Sequence, residues 1–421
     1  MADARGNGPA PTLTTADGKP LREALAKAER HARNRAFFLV LPLLLFILIT
    51  FVAPIAQMLH RSVHNPAFSD NMPNLVAWFE ENPEGTSPDE GGWDALAQDL
   101  ILARENKTAG LVGTRVNYEL SGTRSLFTKG ARNARKLEPP YREAILDLDE
   151  DWADPALWQV MRGASSAYTF NFYYAAVDKT LDQDGNIVDV DENRKVYVKL
   201  FTRTLILSLL ITFLTFILAY PIAHLLATLP LRYSNLLMIF VLLPFWTSLL
   251  VRTTAWIVLL QSQGVVNDSL VATGIIDDES RIQMIYNQTG TIIAMTHILL
   301  PFMVLPLYSV MRPINPSYVR AARSLGATSW TAFRRIYFPQ TIPGIGAGAL
   351  LVFILAVGYY ITPALVGGSD GQLISNLIAF HMTNSLNWSM AAALATILLT
   401  GILLLYWLYD RLVGIDNLKL G

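Results

Sequence analysis

The sequence predicts an all-α polytopic membrane protein with six transmembrane helices and one α+β domain outside the membrane. Hydrophobic residues make up 52% of the 421 residues and charged residues only 16%, and the mean hydropathy is +0.33. This composition is too apolar for an ordinary soluble protein. Six apolar runs are each long enough to cross ~30 Å of hydrocarbon. A polar stretch of about 140 residues separates the first run from the other five, which is long enough for a small domain.

The first apolar run follows a basic N-terminal tail. Residues 1–35 contain a Gly/Pro/Thr-rich stretch and then a basic segment with helical character. The first predicted span, residues 36–59, contains no charged residue. Arg30, Arg33 and Arg35 stand directly before it, and arginine beside a span favours the cytoplasmic side. We therefore expect the N-terminal tail to be cytoplasmic.

The polar stretch is the insert, residues 60–203, which this topology places outside the cell membrane. Between residues 61 and 199 it has 23 acidic and 15 basic residues, with enough dispersed aromatic residues to build a core. Apolar residues three and four apart predict helices at 93–106 and 138–152. Residues 167–178 and 193–201 have strand character and flank an Asp-Gly turn at 184–185.

The acid-rich part of the insert partly fits a calcium-binding loop. Asp182, Asp184 and Gly185 fall at loop positions three, five and six. Thr180 and Asp191 occupy positions one and twelve, where Asp and Glu are expected. Because an Asp-Gly pair is also a strong hairpin signal, the sequence favours a β-hairpin over a metal site.

The transmembrane core is predicted at residues 204–413, followed by a cytoplasmic tail at 414–421. Its five spans are expected at residues 204–229, 235–261, 290–311, 342–363 and 388–409. Pro301 and Pro306 are expected to break the fourth span of the chain. Small residues at the start of the fifth permit close helix packing, and aromatic residues at both ends of the sixth mark the membrane interfaces. Six spans place both termini inside the cell.

The docking segment, residues 312–340, is the long polar connection between the fourth and fifth spans. Ser317 is expected to cap a helix that runs to Leu325, and Gly326 is expected to end it. A second helix is expected to enter the bilayer after Pro339. The segment contains no Asp or Glu and five arginines: Arg312, Arg320, Arg323, Arg334 and Arg335. This charge bias predicts a cytoplasmic loop.

The docking segment resembles the cytoplasmic signature of ABC importer permease subunits, which reads EAA, three residues, G, nine residues, I, any residue and LP. The matching residues are Ala321, Ala322, Gly326, Ile336 and Pro339. Arg320 stands where the family usually has Glu, and Phe338 where it has Leu. The resemblance implies that the helix from Arg320 to Gly326 docks into a cleft of an ATPase subunit. The alternative is a basic loop that only orients the protein.

The likeness extends over the first span and nearly all of the chain from Thr204 onward. Residues 242–260, 297–327 and 358–368 resemble the spermidine/putrescine-type permeases of binding-protein-dependent ABC importers. The resemblance implies a type I importer permease in the bacterial inner membrane. Its implied partners are a second homologous permease in a heterodimer, two ABC ATPase copies that carry ATP and Mg, and an extracytoplasmic solute-binding protein. No nucleic acid is expected as a partner.

The resemblance implies a polyamine cargo, for which the pathway should offer aromatic faces and carbonyl oxygens. The candidates are Trp246, Trp256, Tyr359 and Tyr360, each of which could instead be an ordinary core or interface aromatic. Arg252 lies within an apolar run, where it either lines the pathway or packs and snorkels. The predicted spans contain no Asp or Glu, which counts against a polyamine. Another organic cation, an amino-acid-like compound or an opine-like compound are the alternatives.

Several other function classes fit the sequence poorly. The absence of Cys excludes disulfides and thiol nucleophiles, and no P-loop signature is present, so ATP must be bound by a separate chain. His224 and His297 are too isolated to form a catalytic or metal site. An ion-coupled secondary transporter would be expected to show an internal repeat and intramembrane acids. We expect a transport subunit with no enzymatic activity, whose insert is a docking or gating domain or a stabilising addition.

Overall fold

The computed structural model describes residues 21–82, 87–182 and 186–413, and it forms two units, Met1–His60 and Arg61–Gly421. The predicted tail at 414–421 and the first 20 residues lie outside the described residues. In the first unit, helix Leu21–Ile47 continues through a π-helical turn, Leu48–Val52, into helix Ala53–Arg61. This confirms that the predicted basic segment and the first apolar run are helical, because an uncharged run of this length satisfies its backbone polar groups internally as a helix.

The insert is built mainly from short helices around one apolar core. Trp152, Phe127 and Leu96 are fully buried, and Trp158 packs edge-to-face against Trp78 and Trp93. Its helices are Pro73–Glu81, Glu90–Glu105, Ala109–Asn117, Thr123–Asn133, Tyr141–Leu146, Pro155–Ser165 and Asn171–Ala176, with 3-10 turns at Ala134–Lys136, Glu150–Ala153 and Glu192–Arg194. The helix predicted at 93–106 is confirmed, and the one at 138–152 is confirmed in part.

The strands predicted in the insert are wrong in position. Residues 167–178 contain helix Asn171–Ala176, and residues 193–201 contain a 3-10 turn and the start of a long helix. A shorter antiparallel pair, Lys179–Leu181 with Ile187–Asp189, lies between them. The Asp-Gly turn predicted at 184–185 lies outside the described residues. Aromatic content misled the strand prediction, since the buried Phe172 and Ala176 face one side of a helix.

Six helical segments are long and apolar enough to cross a membrane within the described part of the chain. We name them spans 1 to 6, and their bounds are Glu29–Arg61, Tyr197–Thr228, Leu249–Ala272, Gln288–Met311, Ser329–Gly358 and Trp388–Arg411. Spans 2, 4 and 5 form the centre of the core. Their buried face includes Ile211, Met303 and Val352, which are fully buried.

Small residues allow spans 4 and 5 to approach closely, as predicted. A Cβ atom added at Gly344 would lie 3.0 Å from the Cβ atom of Val310, and one at Gly348 would lie 2.7 Å from the Met303 sulfur. Side chains larger than hydrogen would therefore push the two helices apart.

Span 3 corrects the prediction of one continuous helix at 235–261. Helix Leu231–Trp246 ends, and helix Leu249–Leu260 begins with Ser248 as its N-cap, accepting a hydrogen bond from the Val251 amide at 3.2 Å. Pro244 near the end of the first helix cannot donate a backbone hydrogen bond, which favours the break. A further helix, Val265–Ala272, follows directly.

Spans 4 and 5 also differ from the predictions. Span 4 remains one α-helix through Pro301 and Pro306, so the predicted break is wrong. In span 5, helix Phe338–Gly358 ends early, and a separate helix, Ile361–Val366, follows Tyr359 and Tyr360. Neighbouring helices can satisfy the carbonyls that a proline leaves free inside a span, which explains why helicity survives in span 4.

The insert is attached to the core at two places. The buried Asp178 carboxylate accepts hydrogen bonds from the amides of Val196, Tyr197 and Val198 at 2.8 to 3.0 Å, and so caps the start of span 2. At the start of span 6, Asn65 Nδ2 donates to Ser389 Oγ at 2.9 Å.

The second attachment also contains an apolar cluster. Its buried members are Phe172, Ala176, Ile374, Met390, Ala393 and Leu394, so an insert helix packs on span 6 and on helix Ile374–Thr383. The insert is therefore fixed to the core by apolar packing as well as by hydrogen bonds.

Candidate docking and transport sites

The docking segment folds as a short exposed helix followed by a sharp turn. Helix Ser317–Ser324 begins after Pro316, and Ser317 makes no capping bond; its amide instead donates to Asn315 Oδ1 at 2.9 Å. Gly326 has a φ of +90°, a backbone angle that residues with a side chain rarely adopt. The Ala327 amide donates to the Ala322 carbonyl at 3.0 Å. The glycine stop is confirmed, and the cap predicted at Ser317 is wrong.

The helix after the turn begins earlier than predicted. It starts at Ser329, passes through a π-helical turn at Phe333–Tyr337 and continues as Phe338–Gly358. Pro339 therefore lies within span 5 and does not precede it. Ile336 lies in the π-helical turn, and its carbonyl accepts from Gln340 Nε2 at 2.6 Å. A continuous helical segment from Ser329 to Gly358 thus connects the turn at Gly326 with the membrane core.

The outer face of the docking segment suits contact with another protein. Leu325 is 90% exposed, and Tyr318 and Trp330 are also exposed. Ala321 is exposed and Ala322 half-buried. In the described part of the chain, no carboxylate lies within 4.0 Å of the charged nitrogens of the exposed arginines Arg320, Arg323, Arg334 and Arg335. The face therefore combines exposed apolar side chains with four exposed arginines.

The inner face of the docking segment contacts span 2 through aromatic residues. Tyr337 Oη lies 3.0 Å from His224 Nδ1, and Tyr220 Oη lies 3.3 Å from Thr341 Oγ1. Phe333 stacks on Tyr337 with ring centroids 6.0 Å apart. Sequence reasoning missed Tyr220 and Tyr337 and set His224 aside. The spacing of Tyr220 and His224, which puts both on one helix face, was the available signal.

Arg312 adds a second link to span 2. Its guanidinium Nη1 donates to the carbonyls of Ala227 at 2.7 Å and Leu229 at 3.0 Å. These carbonyls lie at the end of the helix, where partners within the helix are lacking. The docking segment is therefore joined to the end of span 2 as well as to spans 4 and 5.

The second candidate site lies where spans 3, 4 and 5 meet. Trp256 Nε1 donates to His297 Nδ1 at 3.2 Å, which joins span 3 to span 4. Arg252 Nη2 donates to the Thr247 carbonyl at 3.0 Å and also to the Pro244 carbonyl. The Arg252 guanidinium therefore satisfies backbone carbonyls at the helix break in front of span 3.

The break after span 5 is held by side chains of helix Ile374–Thr383. Ser375 Oγ donates to the Tyr359 carbonyl at 2.6 Å, and Asn376 Nδ2 donates to the Tyr360 carbonyl at 2.7 Å. Helix breaks at membrane depth are tolerated where they are buried in protein or line a cavity. Sequence reasoning missed Ser375 and Asn376, because neither belongs to a recognisable motif.

Of the five pathway candidates, the structure places Trp256 in contact with His297. Arg252 bonds the carbonyls of Pro244 and Thr247, and the Tyr359 carbonyl accepts from Ser375. Trp246 is 85% exposed and Tyr360 is 46% exposed in the single chain. The described residues contain no group of three or more His, Asp or Glu that could hold a metal ion.

Comparison with known proteins identifies the family of the core. Residues 204–414 match the model of the binding-protein-dependent transport system inner membrane component. The chain belongs to this family. It is therefore a transport subunit of the inner membrane and not an enzyme. The matched residues contain both candidate sites and exclude the insert.

Individual members of the family are similar over most of their own length. The chain is 36% identical over 238 residues to the spermidine/putrescine transport system permease protein PotB of Salmonella typhimurium, covering 56% of this chain and 80% of the relative. It is 32% identical over 230 residues to the inner membrane ABC transporter permease protein YdcU of Escherichia coli, covering 51% of this chain and 72% of the relative.

A solved structure of a bacterial ABC transporter involved in the import of the acidic polysaccharide alginate is also similar. It matches with a TM-score of 0.41 and 22% sequence identity, over 51% of this chain and 79% of the other.

Proposed function

We propose that the chain is the permease subunit of an ABC importer that carries a polyamine, putrescine or spermidine, across the inner membrane. The observation that carries this proposal is the 36% identity to a spermidine/putrescine permease over 80% of that protein's length. Another small organic cation, an amino-acid-like compound and an opine-like compound are the alternative cargoes.

The proposed orientation has both termini and the docking segment in the cytoplasm and the insert outside. It is supported by the arginines beside span 1 and by the five arginines and absent acids of the docking segment. A separate ATPase dimer, which carries ATP and Mg, contacts the exposed face around Ala321 and Leu325. Arg320 there calls for an acidic or neutral partner on the ATPase.

The transport mechanism follows from how the docking segment is joined to the core. Closure of the ATPase pair moves helix Ser317–Ser324, and the turn at Gly326 passes the movement to span 5. The contacts of His224 with Tyr337 and of Arg312 with the end of span 2 transmit it to span 2. The pathway between the two permeases then opens alternately to each side of the membrane.

The pathway surface is completed by a second homologous permease. Trp246 and Tyr360 are exposed in the single chain and would face that partner or lipid. Trp256 and Tyr359 supply aromatic surfaces, which attract ammonium groups. The Arg252 cation is directed at backbone carbonyls, which reduces its repulsion of a cationic cargo.

Energy-dependent uptake of labelled putrescine and spermidine tests the cargo assignment. Cells lacking the gene should lose uptake, and the wild-type gene should restore it, whereas a membrane-inserted Gly326→Val variant should not. Unchanged uptake of both compounds in the deletion strain would contradict the polyamine assignment. Retained uptake with Gly326→Val would contradict coupling through the docking segment.

A further inference from the structure

The insert has an uneven distribution of charge. Residues 107–137 contain seven basic residues and one acidic residue, whereas the rest of the stretch from 61 to 199 contains eight basic and 22 acidic residues. The overall acidity of the insert therefore conceals one strongly basic part.

The basic part folds into a single exposed surface. Helix Thr123–Asn133 and the 3-10 turn Ala134–Lys136 present the basic face, which consists of Arg124, Lys129, Arg132, Arg135 and Lys136, all exposed. Lys129 is paired with Asp149 at 2.8 Å. For the other four, no carboxylate of the described residues lies within 4.0 Å of the charged nitrogens.

The opposite side of the same helix is fixed in the insert core. Phe127 is fully buried, and its ring lies 5.1 Å from that of Trp152. A Cβ atom added at Gly130 would lie 3.0 Å from the Trp152 ring. The helix cannot rotate without disrupting this packing, so the cations project in a fixed direction.

The basic face is also close to the attachment between the insert and span 6. The preceding helix ends beside Tyr118, whose hydroxyl donates to the Leu386 carbonyl at 2.9 Å. Burial raises the pKa of Tyr118, while the nearby charges of Arg115 and Arg124 act in the opposite direction. Arg124 therefore lies near the contact that joins the insert to the start of span 6.

We propose that the basic face is a docking surface for an acidic face of the solute-binding protein that serves this permease. This inference rests on the proposed function, in which the insert lies on the side of the membrane where the binding protein delivers cargo. A cationic polyamine would be repelled by the basic face, so the basic face is not a binding site for the cargo itself. Opposite charges across an interface speed encounter and fix orientation.

The test compares two double variants that change the net charge equally. Arg132→Glu with Arg135→Glu reverses two exposed, unpaired cations of the basic face. Arg142→Glu with Arg194→Glu is the control, because both residues are exposed in the insert but lie outside the basic face. Each variant is assembled with its partner permease and ATPase in nanodiscs, and the Kd for the binding protein is measured at low and high salt.

The basic-face variant should raise the Kd about tenfold at low salt and lose most of the salt dependence of the wild type, since rim charges act through screened attraction. The control should stay within about twofold. Equal Kd values for the two variants would overturn the proposal, and so would a wild-type complex that does not bind the binding protein.

Two further measurements separate this proposal from its alternatives. If the basic-face variant loses affinity for vesicles containing phosphatidylglycerol while its Kd for the binding protein is unchanged, the surface binds lipid and the proposal is wrong. The Kd for the binding protein is measured with and without putrescine bound to the binding protein. If the cargo assignment is wrong, putrescine will not change the Kd of the wild-type complex. The comparison of the two variants does not depend on that result.

Discussion

At the scale of single residues, Gly326 is a position where the backbone conformation alone limits substitution. Its φ is +90°, and an added Cβ atom would meet nothing within 4 Å. An alanine there would strain the backbone by about 1–2 kcal/mol without a steric clash. We expect Gly326→Ala to lower binding-protein-stimulated ATP hydrolysis roughly tenfold while assembly with the ATPase is retained.

Gly401 provides the matched control for this substitution. It also has open space around an added Cβ atom, and its φ is not positive. Gly401→Ala should leave the stimulated rate of ATP hydrolysis unchanged. Equal rates for the two variants would show that the left-handed turn has no role in coupling.

His381 makes the contact between helix Ile374–Thr383 and the start of span 2 dependent on pH. Its Nε2 lies 3.2 Å from Tyr197 Oη, and its Nδ1 lies 2.9 Å from Ser385 Oγ. Burial lowers the pKa of His381 below its ordinary value of 6.5. The folded state therefore favours the neutral imidazole, and this contribution to stability is complete above pH 6.5 and is lost as pH falls below it.

Thermal unfolding between pH 8 and pH 5 tests this prediction in the purified protein. The unfolding temperature of the wild type should fall more steeply below about pH 6.5 than that of His381→Gln, whose side chain stays neutral. Parallel curves for the two proteins would contradict the assignment to His381.

At the scale of structural elements, the docking segment depends on its contact with span 2. Tyr337→Phe removes the hydroxyl that lies 3.0 Å from His224 Nδ1 and keeps the stacked ring. A buried hydrogen bond contributes about 1 kcal/mol. We expect a severalfold loss of binding-protein-stimulated ATP hydrolysis, with basal hydrolysis unchanged because ATP binds to the partner chain.

Tyr233→Phe is the matched control for Tyr337→Phe. Tyr233 is exposed and lies outside the docking segment, and its hydroxyl makes no hydrogen bond within the described residues. The stimulated rate of the Tyr233→Phe variant should equal that of the wild type. A similar loss in both variants would contradict the assignment of the effect to the contact between Tyr337 and span 2.

The helices also show which parts of the fold could be predicted from the sequence. The uncharged run at 36–59 and the apolar run that became span 6 were sufficient to predict helices there, because in a membrane the backbone must bond to itself. The break between Trp246 and Leu249 was not predictable, since apolarity continues across it. The Arg252 guanidinium donates to the Pro244 carbonyl at this break, and the two residues are eight positions apart in the sequence. The spacing around Gly326 predicted its turn, but the contact between His224 and Tyr337 requires the fold.

At the scale of the whole molecule, the insert and span 6 form one body in the structure. The chain contains no Cys, so a pair introduced at Asn65 and Ser389, whose side chains lie 2.9 Å apart, would react only with itself. We expect Asn65→Cys with Ser389→Cys to form a disulfide under mild oxidation and to retain full uptake. Each single Cys variant is the control for intermolecular reaction.

The alternative outcome has an equally definite meaning. If cross-linking abolishes uptake, and the unreacted double variant transports normally, the insert must move relative to span 6 during each cycle. Binding-protein contact would then be passed on by a hinge at Asn65 and Ser389.

The two ends of the insert core meet, and this has a consequence for protein engineering. The Asn65 amide donates to the Ala167 carbonyl at 2.8 Å, and the Thr169 amide donates to the Val63 carbonyl at 2.8 Å. The chain thus leaves and returns at one point, and the family match begins only at residue 204. This point is therefore a position at which the segment between Asn65 and Ala167 can be removed or replaced by a foreign domain with little change to the path of the remaining chain.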